Sequence, residues 1–383
     1  MRISAIGRLS IKLVLLLALI ALDLCYRIEL ALSRRARSAT LRIKSVLAGG
    51  CRHEGGRYAV FVYYAPHGVP FFTANALQAL AAAQVNVVVV ANLISDAART
   101  QLLASCHSLI DRHNVGRDFG AYKDGIDHVL RTLRPERLLL LNDSVFWLED
   151  GSRELVSRLA EGGDYLAATE TYERQYHAGS FALSFSRAVL DSPAFRGFWT
   201  EYRLSNNRRH AIHNGEVKLT AALMRAGWTP KPIYTTSALR RRLSHLGDDE
   251  IISAVSLLPS RLPMLRTTMR AERDRLVRAL TPAAGGGNAP SYPRAAAIDR
   301  LMAAVTASNQ MSYGGLLFVA HLGMPIFKRD LVYRGFYTID HIEACLIQLG
   351  LPEGERIMED FKRKGTPEHV RGARRLLYWL GMA

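Results

Sequence analysis

The sequence predicts an open α/β sheet, and three observations carry that prediction. Residues 85–91 are a nearly unbroken valine run, the composition of a strand buried on both faces. Residues 138–141 are four leucines, a second run of the same kind, and it stops abruptly at Asn142-Asp143-Ser144. Between such runs lie helical stretches of ten or more residues, the length that parallel crossovers require.

The elements follow in order. Residues 57–64 (RYAVFVYY) are β-branched and aromatic and predict a strand. The alanine-rich residues 71–83 predict a helix, and residues 95–104 another, with Ser95 as its N-cap. A short strand is expected at 108–111, a helix at 117–133 and the leucine strand at 137–141. Beyond Gly151 the pattern is less regular: a helix at 152–160, a strand at 165–169, and at 180–186 an alternation (SFALSFS) that predicts a half-buried strand. Helices are expected at 194–202 and 217–226, then a turn at Gly227-Trp228-Thr229-Pro230 and a strand at 232–235. From Ala238 the chain is arginine-rich and helical in character. The predicted organisation is a basic helical segment at 1–50, the α/β domain at 55–240, a basic helical segment at 241–281, a linker or mobile loop at 282–294 (PAAGGGNAPSYP at its centre), and a C-terminal helical segment at 295–383.

The 383 residues are 49% apolar and 22% charged, an ordinary globular composition, but the net charge is +16. Residues 1–57 hold eleven Lys/Arg against three Asp/Glu, so half of the excess sits there. Such a patch favours an anionic surface or a polyanionic substrate. Cys25, Cys51, Cys106 and Cys345 form no CxxC pair and no zinc-like spacing, which points to free thiols. Residues 13–22 are ten consecutive apolar residues; as a helix they span about 15 Å, half of a bilayer core. Asp23, Arg27 and Glu29 make a poor signal-cleavage region. The expectation is an N-terminal amphipathic helix on the cytoplasmic face of a membrane, with Arg34, Arg35, Arg37, Arg42 and Lys44 on anionic headgroups. A helix packed on the globular body and a cleaved signal are the competing readings. The arginines between 261 and 278 lack interleaved aromatics, so no nucleic-acid partner is expected.

Candidate site residues cluster in four places. Asp143 ends the leucine strand, where a carboxylate can hold Mg²⁺ or Mn²⁺ together with substrate oxygens; an Asx-type turn or a cap for the next helix is the structural alternative. Asn114 to Gly125 (NVGRDFGAYKDG) offers close backbone approach at Gly116 and Gly120, positive charge at Arg117 and Lys123, and a carboxylate at Asp118. It is neither GxGxxG nor a P-loop. His177 precedes the alternating strand. Glu216, after Asn214-Gly215, reads as a carboxylate presented at a helix tip, either electrostatic decoration or a general base.

Taken together these segments resemble the rhamnan synthesis protein F family of bacterial polysaccharide glycosyltransferases. The matching pieces are residues 112–126 (RHNVGRDFGAYKDGI), 141–146 (LNDSVF), the strand entry with His177, 195–199 (FRGFW), 214–220 (NGEVKLT) and 323–331 (GMPIFKRDL). The resemblance implies a GT-A-like, Rossmann-type open sheet and transfer of a sugar from a nucleotide-diphosphate donor to a glycan or lipid-linked glycan acceptor. It places Asn114, Gly116, Arg117, Asp118, Tyr122, Lys123, Asn142, Ser144 and His177 around the donor, Asp143 on a divalent cation, and Glu216 as the acceptor-activating base, with Glu170 and Asp164 as alternatives. The strand end carries one carboxylate where GT-A enzymes carry a DxD. A non-catalytic module that binds nucleotide sugar or glycan is therefore the alternative function.

Overall fold

The computed structural model describes residues 38–259 apart from 174, residues 294–372 apart from 307 and 308, and scattered positions before and after these. The basic stretch between 261 and 278 and most of the linker lie outside the described residues, as does most of the expected N-terminal helix. The described large apolar residues there, Leu13, Leu16, Leu17, Ile20, Leu24 and Ile28, are all exposed. Among the described residues, no helix is long and apolar enough to cross a membrane.

A nine-stranded open sheet organises the chain. Along it lie β1 (Ile43–Ala48), β4 (Ser108–Arg112), β3 (Asn86–Ile94), β2 (Arg57–Ala65), β5 (Arg137–Asn142), β9 (Ala182–Ser186), β7 (Tyr165–Thr171) and β10 (Lys231–Tyr234), in that spatial order; β8 (His177–Ala178) pairs off the path with β7. The pairs β4–β3, β3–β2, β2–β5 and β7–β10 are parallel. β1 is antiparallel to β4, and β9 is antiparallel to both its neighbours. The expected α/β open sheet is therefore present, with a mixed half beyond β5.

Alternation along β2 explains how the sheet is covered. Val60 and Val62 face one side, with Val88 and Val90 of β3, under Phe119, Tyr122, Ile126 and Val129 of the helix Arg117–Thr132. Ala59, Phe61 and Tyr63 face the other side, under the helices Phe71–Ala82 and Glu149–Glu161. That second layer continues without a break into Ile326, Phe327, Ile342, Ile357 and Phe361. The C-terminal segment thus shares one apolar core with the sheet, because its helices Ile339–Leu349 and Gly354–Lys364 bury their apolar stripes there.

Three expectations are corrected. β1 lies inside the 1–50 segment, so sheet structure begins earlier than expected. Arg42 does not face outward to headgroups but is buried on Asp124, whereas Lys44 is exposed with its Nζ 3.0 Å from Asp111. The segment around 180–186 is buried on both faces rather than half-buried, because β9 is inserted between β5 and β7.

Candidate functional site

The strand order places the site. From β2 the chain moves outward through β3 and β4, then returns to the other side of β2 as β5. A crevice opens at the carboxyl ends of strands where such a reversal occurs. Here it lies between the ends of β2 and β5, and one residue spans it. Asp143 N–H donates to Val62 O (3.2 Å), and Asp143 Oδ2 accepts from Tyr64 N–H (2.8 Å). A cleft of about 1830 Å³ surrounds this point. Its walls include Asn114, Arg117, Asp118, Asn142, Asp143, Ser144 and Glu216, so seven of the expected site residues meet there.

The turn after β5 combines both sequence readings. Asn142, not Asp143, makes the Asx turn: its Oδ1 accepts from Ser144 N (3.1 Å) and Oγ (2.6 Å). Its Nδ2 donates toward Asp118 Oδ2 (3.5 Å). Asp143 is left facing the cleft. Burial pushes its carboxyl up to about 6, partly offset by Arg329 and the Tyr64 N–H and reinforced by Asp118. Asp118 is likewise raised by burial, against Arg117 and Lys328.

The glycine-rich block serves packing rather than ligand contact. Gly116, at φ +85°, caps the helix Arg117–Thr132, and a Cβ there would strike Leu204. A Cβ on Gly120 would lie 2.4 Å from Val115 O, and one on Gly125 2.4 Å from Val60. At Gly125 the helix lies directly on the sheet, and at its start Arg117 holds φ +55°, uncommon for a side chain with Cβ. Gly116, Tyr122, Lys123 and His177 do not line the cleft. Lys123 turns to the carbonyls of Trp199 and Thr200 at the end of the helix Pro193–Glu201. Tyr122 is fully buried, and its hydroxyl donates to Ser180 O (2.9 Å).

Glu216 is not at a helix tip. The helix begins at Arg208, runs through a π-helical segment, Ala211–Val217, and continues as Lys218–Arg225. The expected Asn214-Gly215 turn does not form, because Gly215 is used for close approach: a Cβ there would lie 2.8 Å from the Phe119 ring. The π-helical widening aims the next residue into the cleft, a geometry that recurs at functional sites. Ser180 Oγ donates a short hydrogen bond to Glu216 Oε1. Glu216 Oε2 lies 3.8 Å from His177 Nε2. Because His177 Nδ1 is 2.9 Å from Gln175 O, which can only accept, Nδ1 carries the proton and Nε2 faces the carboxylate. At 3.8 Å this contact is beyond hydrogen-bond distance, so Ser180 is the side chain that holds the Glu216 carboxylate. Ser180 carried no sequence signal of its own.

The sequence did not foresee the opposite wall. β11 (Ile326–Lys328) pairs antiparallel with β6 (Val145–Trp147), bringing Lys328-Arg329-Asp330 against Asp143. Arg329 donates to Asp143 O (2.6 Å) and forks onto Asp360 (3.2 and 3.1 Å). Its guanidinium stacks 4.0 Å above Phe72. Arg208, Arg334 and Lys364 complete this wall.

A divalent cation at Asp143 would find few unspent donors. Asp143 spends one carboxylate oxygen on Tyr64 and its carbonyl on Arg329, and the Asn142 amide oxygen is spent on Ser144. Among the described residues, no group of three or more His, Cys, Asp or Glu side chains could hold a metal. The donor set does not make a metal site by itself.

A family model described as rhamnan synthesis protein F matches residues 159–281. The resemblance expected from the sequence is shown over that span, which contains β7, β9, the π-helical turn with Glu216, and β10. The uncharacterized protein y4gN of Sinorhizobium fredii (strain NBRC 101917 / NGR234) is 27% identical over 195 residues, 49% of this chain and 51% of that protein. The chain spans about half the length of this curated relative. Two solved structures are more distant. The apo-form glycosyltransferase GlyE of Streptococcus pneumoniae TIGR4 shares 12% identity, covering 46% of this chain and 45% of that one, at a TM-score of 0.30. The mannosyltransferase PcManGT of Pyrobaculum calidifontis, in complex with GDP-Man and Mn²⁺, shares 14% identity, covering 90% and 98%, at a TM-score of 0.29. Likenesses this low do not bear on the chemistry of this chain.

Proposed function

We propose that this protein is a glycosyltransferase of GT-A-like type that transfers a sugar from a nucleotide-diphosphate donor to a growing bacterial surface glycan. The observation that supports this best is the pairing of two chemistries across one cleft at the sheet's reversal point. On one side stands a single supported carboxylate, Glu216, held by Ser180. On the other stand Asp118 and Asp143 within a wall of arginines and lysines. Sugar transfer needs a base within hydrogen-bond reach of the acceptor hydroxyl, and stabilisation of the negative charge that develops on the departing diphosphate. In this proposal Glu216 takes the acceptor proton, Arg117 with the basic wall binds the phosphates, and Asp118 and Asp143 orient sugar hydroxyls. If a divalent cation binds with the donor, Asp143 is its ligand from the chain, and the cation would supply charge neutralisation at the diphosphate.

A thermal-shift screen of nucleoside diphosphates and nucleotide sugars tests the donor assignment. A ligand at a hundred times its dissociation constant is expected to stabilise the protein by about 2.7 kcal/mol. No shift with any of them, with or without Mn²⁺, would remove the donor reading. A shift without turnover on any glycan acceptor would favour the binding-module alternative.

We also propose that the protein works at an anionic membrane surface, where a lipid-linked acceptor would lie. The exposed leucines and isoleucines between 13 and 28, beside Arg34, Arg35 and Arg37, support this. In flotation with anionic liposomes the full chain is expected to float and a chain starting at Ser38, which keeps Arg42 and β1, to stay at the bottom. Equal recovery of the two would count against it.

A further inference from the structure

Lys328, Arg329 and Asp330 are consecutive but do different work. Arg329 is spent: it is forked onto Asp360, bonded to the Asp143 carbonyl and stacked on Phe72. Lys328 is not. Its ammonium sits 4.7 Å above the Phe181 ring, at the cleft wall, and makes no hydrogen bond or short ion pair among the described residues. Arg208, from the first turn of the helix that carries Glu216, also makes none, although its guanidinium is held in the same cleft beside Arg334 and Arg117. Lys364, the last residue of its helix, is a third such cation. Asp330 is the carboxylate that all four of Arg208, Lys328, Arg334 and Lys364 act on. Burial alone would raise Asp330, yet Lys364, Arg334, Lys328 and Arg208 outweigh it and hold the carboxyl far below the usual range. Of the four, Arg334 alone pairs with it closely, at 3.1 Å.

Three of the four, Arg208, Lys328 and Lys364, keep their donors unspent among the described residues and so can receive an anion in the cleft. Burial depresses both Arg208 and Lys364; Arg334 adds to it at Arg208, and at Lys364 Asp330 opposes it while Arg329 adds to it. Such a cluster persists where an anion relieves it. Asp118, Asp143 and Glu216 line the same cleft, so an anion held by these cations has the carboxylates within the same space.

We infer that Arg208, Lys328, Arg334 and Lys364 form the subsite for the donor's diphosphate and neutralise it without requiring a resident metal ion. This rests on the donor reading above and adds to it the residues that take the leaving group. As the bond from the sugar's anomeric carbon to the diphosphate oxygen breaks, the electron pair stays on that oxygen, against these four side chains. The acceptor oxygen forms the new bond to the anomeric carbon, and its proton passes to Glu216. The thin donor set around Asp143 then has a reason: the charge that a cation would balance is balanced from the opposite wall.

Isothermal titration of the full chain with pyrophosphate, and with UDP, GDP and ADP, in EDTA and then in Mn²⁺ tests this. Binding of pyrophosphate and of at least one nucleoside diphosphate is expected in EDTA. Arg208→Gln and Lys328→Gln should each weaken it roughly 10–100-fold, the loss of one or two charge-assisted hydrogen bonds. Lys362→Gln, an exposed charge on the same helix as Lys364 but outside the cleft, should leave it unchanged. Circular dichroism of each variant, with two independent positions tested, separates loss of the subsite from loss of the fold. Nucleoside diphosphate binding that appears only with Mn²⁺, or that is unchanged in both charge variants, would overturn this inference and leave the donor reading standing. No binding by the wild type in either condition would remove both.

Discussion

Replacing Glu216 by glutamine is expected to lower turnover by roughly 10²–10⁴-fold, the usual contribution of a general base, while nucleotide binding is retained. Glutamine keeps the size of the side chain and can still accept from Ser180 Oγ, so the π-helical turn has no reason to change. What it loses is the ability to take a proton. The alternatives raised by the sequence are removed by position. Glu170 is buried, and its Oε1 accepts from both Thr236 N and Oγ1 at 2.9 Å, which ties β7 to the start of the helix Thr236–Ser244 after β10. Asp164 precedes β7 at the opposite end of that strand and accepts from Ser186 Oγ at 2.7 Å. Neither lines the cleft. Steady-state kinetics with titration of the nucleotide separates these roles: Asp164→Asn should be near wild type, and Glu170→Gln should cost stability before activity. Near-normal turnover by Glu216→Gln would return its carboxylate to a structural role.

The largest expected loss of stability is at Asp124. Its carboxylate receives Arg42 Nε at 2.8 Å and Arg112 Nε at 2.7 Å, with a further short contact from Arg42, and all three residues are almost completely buried. Arg112 also donates to Asn92 and to Val115 O (2.6 Å). One carboxylate thus ties β1, β3, β4 and the helix Arg117–Thr132 together. Truncating it leaves two guanidinium groups buried without their counter-charge, a loss of about 3–5 kcal/mol. Burial already presses Arg112 down to about 10, opposed mainly by Asp124. Asp124→Ala should therefore shift urea unfolding by that amount. A loss below about 1 kcal/mol would mean that water reaches the arginines and that the network is not closed. Val115 immediately precedes Gly116, so the same variant should also loosen the loop that presents Arg117 and Asp118, and its nucleotide affinity should fall with its stability.

The division between what was legible and what was not follows from the range of the interactions. Strands β2, β3 and β5 were readable because valine and leucine runs of that length leave few alternatives to a strand covered on both faces. The helix Arg117–Thr132 was readable from its apolar spacing, and Asp143 from the abrupt end of an apolar run. In each case a local property of the residues fixes the outcome. The Arg117–Asp118–Asp143 grouping followed once the β2/β5 reversal was in place. What failed was whatever depended on a distant partner. The burial of β9 needed β5 and β7 on both sides of it. The glycines at 116, 120 and 215 were taken for loop and ligand geometry, yet each makes room for a side chain or carbonyl elsewhere in the chain. Lys123 and Arg42 read as charges facing a ligand and a membrane; one turned to the end of another helix and the other into the core. The basic wall opposite Asp143 lies furthest from local reading, since Arg329 and Asp143 are 186 positions apart. The sequence by itself determined the parallel half-sheet and the residue at its reversal point, because apolar period and strand length act within a few residues. Only the tertiary structure decided which charges share the cleft, because a charge is free to face water, a partner or a ligand until packing closes two of those choices.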